Sequence, residues 1–184
     1  MDKATFRKEC RKIRASVSEK LQTDKAISDG ILSSNEYKEC ENILLFASIG
    51  SEFDTQQILL AAIKDKKHIF FPKCEADGIM HFYEVTSPAD LSLGYMHIPE
   101  PQANTYSYVS ESDSDLILVP ALCADKSFHR LGYGGGFYDR FLKIFKGVAV
   151  CPVYSSLLFE EIPTDSFDMP VDIIYTEIGR LEKE

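Results

Sequence analysis

The stretch Arg130 to Arg140, R-L-G-Y-G-G-G-F-Y-D-R, puts four glycines into five residues. It follows Leu116-Ile117-Leu118-Val119, an apolar run that reads as a buried strand. It precedes a pattern in which Phe137, Phe141, Leu142, Ile144 and Phe145 recur at helix spacing. Glycines let a backbone take positive φ, so that successive N–H groups converge on one point. A helix start behind such a turn adds unpaired N–H groups and the positive end of its dipole. Gly132, Gly134, Gly135 and Gly136 are therefore a candidate phosphate cradle, with Arg130 as a flanking cation. The alternative is a tight turn that binds nothing, which would spend the entropy of four glycines on geometry alone.

Two other phosphate loops are excluded. No Gly-x-x-x-x-Gly-Lys-Ser/Thr string occurs, and the dinucleotide fingerprint needs a glycine where Phe137 stands. The 184 residues suit one domain with a substantial core, over residues 1–184. A formal net charge of −9 argues against a general nucleic-acid binder, while leaving room for a local basic pocket. No apolar run reaches membrane-span length, and the charged start M-D-K-A-T-F-R-K is not a signal peptide. Five scattered cysteines, none in a C-x-x-C pair, read as free thiols in a reducing compartment. The expectation is a cytoplasmic monomer acting on small molecules, with no nucleic-acid or membrane partner. The four histidines lack zinc-ligand spacing.

Residues 2–21 read as an amphipathic helix with Phe6, Cys10, Ile13, Val17 and Leu21 inward. Beside that stripe Lys3, Arg7, Arg11 and Arg14 fall within an arc of about 80°. Such a face is ordinarily just solvated, and it gains meaning only if the fold carries it to the glycine loop. A second helix is predicted over 24–34, weakened by Gly30. Ile43 to Ala47 reads as a parallel strand covered on both faces, followed by the loop holding Glu52 and a helix around Ile58 to Ile63. Further strands are expected at 68–71 (broken at Pro72), 79–85, 115–119, 147–153 and 171–175, with short helical turns at 88–93 and 157–161. Residues 76–78 read as a turn, 102–114 as a Ser-rich surface loop and the last residues as a polar tail. Alternating strands and helices predict an α/β domain with a mainly parallel sheet. Ligands then bind beyond the carboxyl ends of the strands, where the loops with Glu52, Asp125 and the glycines lie.

Asp139, three residues past Gly136, and Asp168, before the last strand, are candidate magnesium ligands, since such an ion takes one or two carboxylates beside phosphate oxygens. Against this, an acid in a first helical turn serves the dipole, and Asp168 reads equally as a solvated loop acid.

The run V-P-A-L-C-A-D-K-S-F-H-R-L-G-Y-G-G-G-F-Y-D-R, Val119 to Arg140, resembles the signature of 5-formyltetrahydrofolate cyclo-ligases, and the likeness extends along nearly the whole chain. Lys3-x-x-x-Arg7 resembles the family's nucleotide-binding pair, Ser48 to Thr55 with Glu52 its folate-contacting loop, Ile98-Pro99-Glu100-Pro101 its I-P/x-E/Q-P segment, and Asp168 to Asp172 its C-terminal D-x-x-x-D. The resemblance implies a three-layer architecture shared with sugar-phosphate isomerases and CoA transferases. It also implies conversion of 5-formyltetrahydrofolate to 5,10-methenyltetrahydrofolate, with ATP as co-substrate and Mg2+ as cofactor. Lys3, Arg7 and Arg130 would be catalytic cations. Together with Leu131, Gly132, Tyr133, Gly134, Gly135, Gly136, Phe137 and Tyr138 they would bind ATP. Ala47, Glu52, Tyr133, Gly134, Gly135, Gly136 and Phe137 would meet the folate, and Asp139 and Asp168 the metal. Phe137, Ala124 and Ala47 depart from the common pattern, where Tyr, Phe and a larger residue are frequent, and Gly135 stands where some members carry Lys. The competing readings are a sugar-phosphate enzyme that needs no ATP and a non-catalytic nucleotide- or folate-binding protein.

Overall fold

Continuous apolar runs form the middle of the fold. The computed structural model describes residues 2–75, 78–94, 98–101, 107–108 and 115–183. Helix α1 (Lys3–Ala15) leads into α2 (Lys20–Ser33) and α3 (Asn35–Glu39). Strand β1 (Asn42–Leu44), helix α4 (Gln56–Lys64) and strands β2 (His68–Cys74) and β3 (Met80–Glu84) follow. Strands β4 (Leu91–Leu93) and β5 (Pro99–Pro101) pair as a small ribbon. Then come β6 (Leu116–Leu118), β7 (Cys123–Asp125), β8 (Arg130–Leu131), α5 (Phe137–Leu142), β9 (Val148–Pro152), β10 (Leu158–Phe159), β11 (Ile173–Thr176) and β12 (Gly179–Glu182).

Among the described residues a seven-stranded sheet runs β12-β11-β9-β6-β1-β2-β3. Its inner neighbours are parallel and its two edge strands antiparallel. Ile43 lies opposite Ile69 on one side and Leu116 on the other. Ile43, Leu44, Ile117, Leu118 and Ile174 have no solvent exposure, as expected of central strands covered on both faces. Helices α2 and α4 pack on each other, α2 on β11 and α4 on β2.

Several boundaries differ from the sequence expectation. The first helix stops at Ala15 instead of continuing to 21. The Ser16 hydroxyl donates to Ile13 O at 2.7 Å, and Glu19 turns left-handed at φ +52°, so a Ser-Val-Ser stretch spends its polar groups locally. Leu21 consequently opens α2 and is exposed. Gly30 has a packing reason: a Cβ there would lie 3.2 Å from the Tyr175 ring. Strand β2 continues through Pro72 to Cys74. Ile69 O accepts Val85 N–H, just past β3, and Phe70 O accepts Leu45 N–H, so by alternation Pro72 turns its missing N–H away from β3, past the end of β1.

The 88–93 segment is one 3-10 turn, Pro88–Asp90, followed by β4, and the 157–161 turn is Ser155–Leu157 followed by β10. The C-terminal residues expected as a tail form β12 against β11. Helix α5 ends at Leu142, short of the predicted Phe145, and Ile144 is exposed. Residues 76–77 of the predicted turn lie outside the described residues, as does most of 102–114. Of that segment, Ser107 bridges Tyr83, and Tyr108 N–H donates to Phe82 O at 2.8 Å.

The glycine loop does not leave β6 directly. Past Val119 the chain forms the hairpin β7–β8, with β10 on the other side of β7. The hairpin turn is fixed by the buried Asp125 carboxylate, which accepts Ser127 N–H at 2.9 Å and His129 N–H at 3.0 Å while Phe128 sits at φ +67°. That hairpin delivers Arg130.

Leu44→Ala is expected to lose about 2–5 kcal/mol by removing a fully buried side chain from the middle of the sheet. Urea denaturation monitored by circular dichroism checks this; a loss under about 1 kcal/mol would mean the site collapses onto the cavity.

Candidate functional site

The site assembles where α1 lies against the glycine loop. Asp2 caps the helix, accepting Ala4 N–H at 2.9 Å and Thr5 N–H at 3.0 Å. Cys10 is fully buried, and the Phe6 ring meets Phe159 at 5.1 Å. The apolar stripe thus docks on the body of the protein and turns the neighbouring cationic stripe inward.

Three of the four cations on that stripe reach the site. Arg7 Nε donates to Gly132 O at 2.8 Å, and its guanidinium would lie 3.5 Å from a Cβ at Gly134. Lys3 Nζ lies 2.5 Å from Asp168 and 2.7 Å from Asp165. Arg14 was not among the predicted site residues. Its Nε donates to Ser51 Oγ at 3.0 Å, and a second guanidinium nitrogen donates to the Tyr133 hydroxyl at 2.5 Å. Arg11 remains exposed. The spacing held this distinction: at 100° per residue Arg14 falls about 20° from Lys3, between Lys3 and Arg7, while Arg11 sits at the rim near 80°.

Within the loop, Gly134 at φ +103° and Gly136 at φ +66° use the left-handed freedom that favours glycine. Gly135 leaves room for the Phe137 ring where it now stands, since a Cβ would lie 2.7 Å from it. Arg140 braces the loop from outside, donating to Gly135 O and Gly78 O, each at 2.8 Å. Leu131 differs from its neighbours: its side chain is buried in the core, leaving only its backbone to the site.

Beneath the loop the Arg130 side chain is 3% exposed and donates to Asp139 Oδ1 at 2.9 Å. The same oxygen accepts Met169 N–H at 3.1 Å, so Asp139 adjoins the segment carrying Asp168. The Tyr138 ring lies 5.9 Å from the Arg130 guanidinium. Arg130 Nε is buried without a hydrogen-bond partner. A buried donor left unpaired is costly, and a charged one more so, so this Nε–H suits a bound acceptor.

At the other end, the buried Glu52 accepts Ile49 N–H at 2.9 Å on Oε2 and the Tyr133 hydroxyl on Oε1. Desolvation, and next the Glu52 charge, push the Tyr133 phenol well above its usual range, so it remains a donor. Ala47 is half-buried against the core beyond the end of β1, and Phe137 lies under Arg140 at 5.3 Å.

The structure thus brings Glu52 to Tyr133, Arg7 to Gly132 and Gly134, Arg130 to Asp139, and Lys3 to Asp168. Sequence reasoning missed Arg14, Asp165 and the Met169 N–H. Among the described residues no group of three or more His, Cys, Asp or Glu side chains converges to hold a metal. Asp139 and Asp168, on adjoining segments, offer the one or two hard oxygen donors that a phosphate-bound magnesium ion takes from protein, and fit that group.

The 5-formyltetrahydrofolate cyclo-ligase family matches residues 1–177. The chain is 27% identical over 173 residues to a 5-formyltetrahydrofolate cyclo-ligase of Haemophilus influenzae, covering 90% of this chain and 92% of that one. It is 29% identical over 174 residues to the Mus musculus enzyme of the same name, with 88% and 86% covered. The solved structure of Aquifex aeolicus 5,10-methenyltetrahydrofolate synthetase superposes with a TM-score of 0.86 at 32% identity, covering 99% of this chain and 93% of that one.

Burial opposes ionisation of Asp168, but the Lys3 ammonium and the Asp165 N–H outweigh it and hold the carboxyl below its ordinary 3.8. A group whose pKa is depressed by folding stabilises the protein fully above its unfolded value and loses that contribution as pH falls through the folded one. The gap in Tm between wild type and Asp168→Asn is therefore expected to be full well above pH 3.8 and to close below it. Thermal melts across that range check this; a gap unchanged in acid would contradict the ion pair.

Proposed function

The chain belongs to the 5-formyltetrahydrofolate cyclo-ligase family, and from that premise we propose that it closes 5-formyltetrahydrofolate to 5,10-methenyltetrahydrofolate with consumption of ATP. The observation that carries the reading is Arg130: a guanidinium 3% exposed, under a glycine loop, with its Nε unsatisfied. That is the chemistry of a site built to receive an anionic group.

A formamide oxygen is a poor leaving group. Transfer of the γ-phosphoryl group of ATP to that oxygen gives an N5-iminium phosphate and ADP. Nitrogen 10 of the folate then attacks the same carbon, its proton departs, and the C–O bond breaks with release of phosphate. Phosphoryl transfer depends mainly on positioning and charge neutralisation. Arg7 and Lys3 would supply positive field from α1, Arg130 from below, and the loop N–H groups from the glycine turn. Tyr138 holds the Arg130 guanidinium against its ring. Asp139 and Asp168 would hold magnesium, which when bound neutralises charge on the phosphates. Glu52 and Tyr133 would take the folate ring, with Ala47 and Phe137 as apolar wall. The protein is proposed to act as a monomer. The five unpaired cysteines suit a reducing cytoplasm, and no helix among the described residues is long and apolar enough to cross a membrane.

The test is an absorbance assay. Protein, magnesium-ATP and 5-formyltetrahydrofolate should produce the near-ultraviolet band of the methenyl product, lost on omitting ATP or adding EDTA. Arg130→Lys, which keeps charge but not the fork, should lower kcat by about a hundred-fold or more. No ATP-dependent signal from wild type would overturn the reading.

A further inference from the structure

Arg14 has no role in the phosphate chemistry just described, yet its side chain is only 10% exposed. It binds three groups on two other segments. Ser51 and Glu52 belong to the loop after β1, and Tyr133 belongs to the glycine loop. Its guanidinium lies 4.0 Å from Glu52 Oε1 and 5.6 Å from the centre of the Tyr133 ring. The Glu52 side chain is 7% exposed, and among the described residues Arg14 is its one ion-pair partner.

The Arg14 guanidinium stands beside this enclosed carboxylate and is tied to the same loop through Ser51. Its two oxygens are already engaged, Oε2 by the backbone of its own loop and Oε1 by the Tyr133 hydroxyl. The flat ring of a folate carries adjacent N–H donors on its pyrimidine edge. Each carboxylate oxygen accepts more than one hydrogen bond, so these donors meet Glu52 Oε1 beside the tyrosine hydroxyl or by displacing it. Tyr133 stands between two glycines, is 41% exposed, and precedes Gly134 at φ +103°, so it sits on backbone suited to turning aside. Arg14 donates to the hydroxyl and lies beside the carboxylate, and so spans both groups.

We infer that Arg14 is the positioning residue of the folate end. It fixes where the Glu52 carboxylate stands and seats the Tyr133 hydroxyl on the oxygen that the substrate's N–H donor later meets. This rests on the cyclo-ligase reading. Arg14 acts through Glu52 and Tyr133 and touches no reacting atom.

The experiment is a steady-state comparison of wild type, Arg14→Gln, Arg14→Lys, Tyr133→Phe and the Arg14→Gln/Tyr133→Phe double variant, with KM measured separately for each substrate. Arg14→Gln should raise the KM for 5-formyltetrahydrofolate about ten-fold or more, with the KM for ATP moving less than about two-fold. Arg14→Lys should recover part of the loss. The double variant should resemble Arg14→Gln alone, because the two side chains act as one unit. Equal rises in both KM values would show that Arg14 merely seats α1. Strict additivity would show that it works without Tyr133. Either result overturns the inference, as does an unchanged folate KM. A wild type that never turns over fails the functional reading itself, before any variant is compared.

Discussion

The bond from Arg7 Nε to Gly132 O, at 2.8 Å, ties the N-terminal helix to the glycine loop, and the rest of the site takes its place from that junction. Once α1 lies across the loop, Lys3 falls against Asp165 and Asp168 at one end and Arg14 against Ser51 and Tyr133 at the other. The helix is held by apolar burial, through Phe6 and Cys10, and its cations follow from helical geometry. A single amphipathic segment so supplies both the adhesion and the charge.

That charge is local. The protein carries a formal net charge of −9, while α1 has six cationic residues and one acid within its thirteen residues. Concentrating cations on one docked helix creates a positive cleft without a positive surface. Most of the cleft's charges are paired: Lys3 with two aspartates, Arg130 with Asp139, Arg14 with Glu52. Among the described residues Arg130 Nε is a buried donor of this cleft with no hydrogen-bond partner. Ion pairs hold the cations in position, and this donor gives an incoming anion something to satisfy.

Much of this was legible in the sequence for identifiable reasons. Short apolar runs located β1, β6, β9 and β11, since strands buried on both faces must be continuously apolar. The glycine run located the loop, and two of its positions do take positive φ. The cationic stripe was visible, but its use depended on where the helix docked. What escaped lay in tertiary context. Strand β12 is polar because it is an edge, and so read as a tail. Pro72 is accommodated because β1 has already ended beside it. Helix α5 is short although its apolar spacing continues. Arg14 looked like Arg11, and only their angular positions about the helix separate a buried partner of Glu52 from an exposed cation. Asp139 and Asp168 were found as acids, while their pairing with Arg130 and Lys3 needed the fold.

The proposed site places a phosphate oxygen of ATP on the unsatisfied Arg130 Nε–H. Nitrogen-15 NMR of the arginine side chains, with Arg130→Lys to assign the signal, tests it most directly. Adding magnesium and a non-hydrolysable ATP analogue should shift the Arg130 Nε–H resonance strongly downfield and slow its exchange with water. A resonance that stays in place while the analogue binds would contradict the claim and move the phosphate elsewhere in the cleft.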